Sequence, residues 1–270
     1  MIERDDTRQP EGWGTDSLTE VLKIAHENAY RTVNTLRVDV KQLRDAYDTY
    51  LLGLQALNRY HEDQIYFERG GHSYDLVVAF LHSSIVSIAS TFILVASQQL
   101  VEANKTLRGC LETALYGYYL TAHPEKWEIW KSRPALLPST SDIDAINEIR
   151  RKRKAVGAEF SASRILKELQ SVDARLHRYA QSLYEQCIDW GAHYNISAMR
   201  TVASKSYAGD AAIIELAILG ADREHVKVTL AKATEVALCS LRIFDVALRP
   251  IWNPAGISDR IASLSARRRK

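Results

Sequence analysis

Twelve apolar positions near the start of the chain restrict its fold more than any other feature. Leu18, Leu22, Ala25, Ala29, Val33, Leu36, Val40, Leu43, Tyr47, Tyr50, Leu54 and Leu57 recur by threes and fours. A mean step close to 3.5 residues keeps them on one side of a helix and excludes a strand, which would need a step of two. The register predicts a helix from about residue 16 to about residue 60, roughly 65 Å long at the usual rise. Ser17 and Glu20 stand at capping-box spacing at its start. A rod of that length is not stable alone in water, so its stripe must lie on another helix. The partner is either a helix of the same chain or the same helix of a second subunit, and a homodimer through the 16–60 helix is expected.

The stretch from Leu76 to Ala122 contains no proline and is apolar enough to be buried on several faces, which predicts a central helix ending before Pro124. Ser83, Ser87, Ser90, Ala96 and Ser97 leave room for another backbone. Shorter helices follow at 125–131, at 142–156 (with Ile143, Ile146 and Ile149 inward) and at 161–190 in two pieces. A last helix at 222–248 is stopped by Arg249-Pro250. The stretch 196–219 is read as a small β-hairpin around Tyr207-Ala208-Gly209-Asp210, although a helix fits nearly as well. The fold class is therefore all-α, a bundle of long helices. It comprises a flexible arm at 1–14, one domain over 15–252 and a basic tail at 253–270.

Composition agrees: of 270 residues 46% are hydrophobic and 25% charged, with 12 Gly and 6 Pro. Cys110, Cys187 and Cys239 lie far apart, which suits buried thiols in a reducing compartment. The acidic start Met1–Asp6 has no signal-peptide pattern. Leu76–Ala96 is interrupted by His82, Ser83, Ser84, Ser87 and Ser90, too polar for an unaided membrane span. A cytoplasmic protein with no membrane partner is expected.

Charge is unevenly placed. Arg150, Arg151, Lys152, Arg153 and Lys154 form one basic run and Arg267–Lys270 another; without those nine, 26 basic residues stand against 33 acidic ones. The first run is a candidate surface for RNA or an acidic protein partner. It also suits the C-terminal end of a helix, where the macrodipole favours cations.

GxSxG, P-loop, GxGxxG, HExxH and Cys-His zinc patterns are all missing from the sequence. No cofactor and no metal site are expected. Two constellations remain. Arg108 and Glu112, four apart on an apolar helix, make either a structural ion pair or a polar pocket with Tyr116 and Tyr119. Glu185, Asp189 and His193 are also four apart, with Tyr194 and Asn195 following. A carboxylate beside His193 would suit acid–base chemistry, or the histidine caps a helix end.

Leu107-Arg108-Gly109-Cys110-Leu111-Glu112, followed by Tyr118-Tyr119-Leu120, and Leu183-Tyr184-Glu185 through His193-Tyr194-Asn195 resemble two short signatures of prokaryotic helical proteins grouped with the HEPN-like bundles. The resemblance covers roughly residues 76–200. It implies a cytoplasmic, often dimeric bundle, frequently encoded in defence or toxin–antitoxin loci, whose active members are metal-independent ribonucleases. The ribonuclease signature pairs an arginine with a histidine four to six residues away on one helix. Here Arg59/His61, Arg69/His72, Arg175/His177 and Arg223/His225 are too close, and Arg178 is too far from His193. Cleavage of RNA would require Arg108 and His193 to meet in space from different helices, with Glu112 around the same pocket. Three readings follow: a non-catalytic or regulatory helical protein; a ribonuclease using those three residues; and a binder of small ligands at Arg108 and Glu112, lined by Tyr116, Tyr119, Asp189 and Asn195.

Overall fold

The computed structural model describes residues 17–62, 73–133, 143–192, 203–208, 211–216 and 223–267. The expected arm at 1–14 and the basic residues Arg268–Lys270 lie outside them.

The early rod is two helices, α1 (Ser17–Thr35) and α2 (Arg37–Glu62), meeting at Leu36. Hydrogen bonds still cross the junction, Leu36 N to Thr32 O and Val40 N to Leu36 O. Asn34 and Thr35 instead turn their side chains back onto the carbonyls of Tyr30 and Arg31, both at 2.9 Å. Such back-bonding bends helices. The expected stripe is consequently half right. Leu36, Leu43, Tyr50 and Leu57 are buried, but among the described side chains of α1, from Val21 on, the buried ones are Asn28 and Thr32, while Leu22 and Val33 face out.

The expected central helix is also divided, into α3 (Ser73–Ala96) and α4 (Leu100–Ala122). Gln98 adopts a left-handed conformation, φ 67°. Gln99 N bonds Leu94 O at 2.7 Å and Gln98 N bonds Val95 O at 3.0 Å, the paired bonds of a Schellman motif. Ser97 Oγ satisfies the carbonyl of Ile93 at 2.8 Å. Glycine ordinarily marks this turn, and a glutamine in its place hid the break.

Next come a 3₁₀ turn (Pro124–Lys126), α5 (Trp127–Lys131), α6 (Ile143–Glu159), α7 (Ala162–Val172), α8 (Ala174–Cys187) and a π-helical turn (Ile188–Ala192). Asp173 separates α7 from α8 by accepting from Arg175 N and Leu176 N at 3.0 and 2.8 Å, an N-cap. The inward face expected for α6 is corrected: Ile143 is 71% exposed and only Val156 is buried. The helix docks by its C-terminal end. Strands β1 (Ala203–Ala208) and β2 (Ala211–Leu216) pair antiparallel, Ala208 opposite Ala211.

The last long helix, α9 (Arg223–Trp252), runs past Pro250 rather than ending at Leu248. Trp252 holds the extra turn: it is fully buried and its Nε1 donates to Gly53 O at 3.3 Å. The segment expected to be a tail folds back as α10 (Ile257–Arg267). Ile257 and Ile261 are buried at helical spacing, Leu264 packs on the core edge, and Arg260 Nε reaches Thr49 Oγ1 at 2.8 Å.

The fold is all-α, with α2, α3, α4 and α9 around the main core, α7 and α8 over one side of α4, and α10 over α2 and α9. In α9 every side chain from Val236 to Leu241 is buried, so this helix is covered all round. Glycines permit the close approach. A Cβ on Gly117 would stand 2.6 Å from Phe244, and one on Gly53 2.7 Å from Trp252.

Gln98→Gly is expected to raise unfolding free energy by about 0.5–1 kcal/mol, because glycine removes the left-handed strain. Gly117→Ala should lower it by about 1–3 kcal/mol, since Phe244 has nowhere to move. Urea denaturation followed by circular dichroism measures both.

Candidate functional site

Arg108 and Glu112 stand on neighbouring turns of α4, on the side that α8 covers. Arg108 Nε donates to Glu112 Oε1 at 2.9 Å. The same oxygen accepts Tyr184 Oη from α8 at 2.7 Å, and the guanidinium lies 5.3 Å from the centre of the Tyr184 ring. The three side chains close on one another. Arg108 is 35% and Glu112 25% exposed, so the group sits at the rim of the core. Burial, with the Glu112 hydrogen bond and charge, pushes the Tyr184 hydroxyl up to about 12. Burial opposes the charge on Arg108, but Glu112 more than offsets it, and its pKa stands above the ordinary value.

A second polar group lies one turn toward the N-terminus of α4. Lys232 of α9 is buried at 7% exposure, donates to Asn104 Oδ1 at 3.1 Å, and sits 4.6 Å from the centre of the Trp190 ring. Asn104 is itself fixed through Nδ2 to Leu100 O at 2.8 Å. Desolvation lowers the Lys232 pKa, against the pull of the nearby Cys187, Glu235 and Asp189. Burial raises the Cys187 thiol to about 12, so at neutral pH it carries no charge to pair with the ammonium. The backbone comes very close here: a Cβ on Gly191 would stand 2.6 Å from Lys105 N.

The remaining expected site residues are dispersed. Tyr116 belongs to an aromatic cluster, its ring 5.2 Å from Trp130 and 6.3 Å from Phe80. Tyr119 faces another way and donates to Glu159 Oε1 at 2.9 Å; burial and that carboxylate raise its pKa to about 12. Glu159 also pairs with Lys126 at 3.0 Å and Arg164 at 2.7 Å. His123 at the end of α4 bonds Glu168 of α7 at 2.6 Å. Glu185 and Asp189 are both exposed. The stripe expected to run from Glu185 through Asp189 to His193 does not continue as an α-helix, because the π turn at 188–192 rotates the chain off the four-residue step. His193, Tyr194 and Asn195 lie outside the described residues. Arg150, Arg151, Lys152 and Lys154 are exposed along α6 and Arg153 is half-buried, with Glu148 bonding Arg151 at 2.9 and 3.0 Å. Among the described residues no cluster of His, Cys, Asp and Glu could hold a metal ion.

Sequence reasoning found Arg108 and Glu112 but not Lys232 or Asn104. Lysine and asparagine sit there in otherwise apolar helical registers, and that irregularity was the available signal. The chain matches no family model, no curated protein and no solved structure.

Tyr184→Phe is expected to destabilise the protein by about 1–2 kcal/mol at neutral pH, the range for a part-buried hydrogen bond to a charged acceptor. A tyrosine whose pKa rises on folding contributes stability in full below its ordinary value of 10, and that contribution is lost as the pH climbs toward about 12. Denaturation from pH 8 to 11 should therefore show a weaker alkaline loss in the variant than in the wild type.

Proposed function

We propose that this protein is a non-catalytic, self-associating helical protein with a regulatory role. The observation that carries the reading is the closed triad of Arg108, Glu112 and Tyr184. Glu112 Oε1 takes both donors, and the guanidinium is stacked on the tyrosine ring. A carboxylate already engaged twice is poorly placed as a general base, and an arginine paired in this way is poorly placed to hold a phosphate. The group is better suited to fixing α8 on α4. Self-association is supported by apolar residues that the fold leaves uncovered, Leu22 at 62%, Val33 at 40% and Ile93 at 65% exposure.

One observation favours a second reading, a ribonuclease of the HEPN-like kind. Gly191, two positions before His193, packs on the backbone of Asn104 and Lys105, and Arg108 is one turn further along α4. The exposed cations of α6 would supply unspecific attraction to a phosphate backbone. A small ligand bound at Arg108 and Glu112 has less support, because Tyr119 is turned to Glu159 and the Tyr116 ring is packed on Trp130.

Purified protein incubated with single-stranded RNA separates the two. Under the first reading wild type, Arg108→Ala and His193→Ala leave RNA equally intact, while Arg108→Ala lowers thermal stability. Cleavage by the wild type that falls at least a hundredfold in both variants would establish the second reading and overturn the first.

A further inference from the structure

The self-association reading does not say which surface meets its partner, and α3 supplies an answer that rests on that reading. From Leu76 to Ala96 the mean hydropathy is 2.0, yet only 39% of this stretch is buried, and it contains no charged residue. Ala79, His82, Ser83, Val86 and Ile93 are exposed and Ser90 is half-buried. At 100° per residue these six fall within about one-third of the helix circumference, so they form one outward stripe. Beside its C-terminal half lies a largely apolar groove of about 290 Å³, lined by Val40, Leu43, Arg44 and Tyr47 of α2 and Ile88, Phe92 and Ile93 of α3, with Arg44 its one charged residue.

We infer that a second copy of this chain covers this face, α3 packing antiparallel against its own two-fold mate with Val86 at the axis. The stripe is complementary to itself in that arrangement. Reversing the helix about Val86 sets Ile93 of each copy opposite Ala79 of the other, and His82 opposite Ser90. Val86 meets its own mate at the axis, Ile93 meets the small Ala79, and the imidazole of His82 meets the hydroxyl of Ser90. This is the isologous pattern that a two-fold interface requires, in which each contact occurs twice. Absence of charge along α3 means that no like charges meet across the axis. The stripe from Ala79 to Ile93 is about 20 Å long and, with the α2 groove beside it, about two helices wide, so it buries on the order of 800–1,000 Å² over both copies, the size of a weak or transient association. A bilayer is a poorer match, since His82, Ser83, Ser87 and Ser90 would be left without partners in lipid.

The three native cysteines are buried, which makes single-cysteine variants clean reporters. Val86→Cys is expected to form an intermolecular disulfide rapidly on mild oxidation of the full-length protein. Val38→Cys, 70% exposed on α2 but outside the groove lining, should not. Ile93→Glu, at a position 65% exposed and therefore tolerant of a charge in the monomer, should weaken dimerisation more than tenfold by light scattering while leaving the helical circular dichroism signal unchanged. A dimer that is indifferent to Ile93→Glu and crosslinks through Val38→Cys overturns the α3 seam but leaves self-association standing. A wild-type monomer at tens of micromolar overturns both. A monomer that sediments with phosphatidylcholine vesicles, and ceases to do so as Ile93→Glu, would assign the face to lipid.

Discussion

How near α9 can come to α2 and α4 governs the rest of the structure. A helix surrounded on all sides must meet neighbours whose backbones can be reached, and Gly53 and Gly117 provide the openings into which Trp252 and Phe244 fit. Between these contacts the core is polar in one place. Tyr50 donates to Ala237 O at 3.1 Å and lies 3.8 Å from Cys110 Sγ, which is 3.6 Å from Ser240 Oγ. Burial raises the Cys110 thiol to about 11, so it stays a weak donor at neutral pH. The network ties α2, α4 and α9 at one level. With that level set, the charged side of α4 can only point toward α8.

What the sequence displayed was helical character; what it concealed was where helices stop. Among the described residues periodicity reported helical segments correctly at 17–62, 73–122, 127–131, 143–187 and 223–248, because apolar spacing records burial directly. Interruptions depend on single residues whose effect is conformational. At Gln98 a left-handed turn is built without glycine, and at Leu36 the bend arises from Asn34 and Thr35 bonding backward. Neither changes the apolar pattern. Pro250 misled in the opposite sense. A proline in the last turn forfeits a single hydrogen bond, which a fully buried tryptophan two residues later offsets. The candidate site was legible to the same degree. Arg108 and Glu112 share a helix, and a four-residue spacing suffices to join them. Tyr184 joins them across 72 positions of sequence, and Lys232 reaches Asn104 across 128. No local spacing encodes such meetings.

The two long sides of the bundle differ in kind. Along α4 the outer layer is attached by polar contacts at separate levels: Lys232 with Asn104 and Trp190, Arg108 with Glu112 and Tyr184, and His123 with Glu168. Directional contacts of this sort add a modest stability, about 1–2 kcal/mol apiece where they are part-buried, but they fix the register of one helix on another. α7 and α8 need that help. They bury narrow apolar stripes, Ile165, Leu166 and Leu169 in one and Leu176, Ala180, Leu183 and Cys187 in the other, and present polar side chains to water.

α3 has the reverse character. Its apolar residues are spread around the helix, a distribution suited to a position enclosed on every side, and yet one face lies open. α9 shows what enclosure looks like in this fold, with six consecutive side chains buried. A peripheral helix of a finished monomer would resemble α7, where Ile165, Leu166 and Leu169 are inward and Arg164, Lys167 and Gln170 outward. Substituting polar residues for Val86 and Ile93 would remove nothing from the core of a single chain. Their presence on a stretch of helix without charge therefore has no explanation in the stability of one subunit. Polar contacts position the layer that belongs to the chain itself. The apolar face of α3 has the composition of an interior, and it is the face that the proposed second copy would cover.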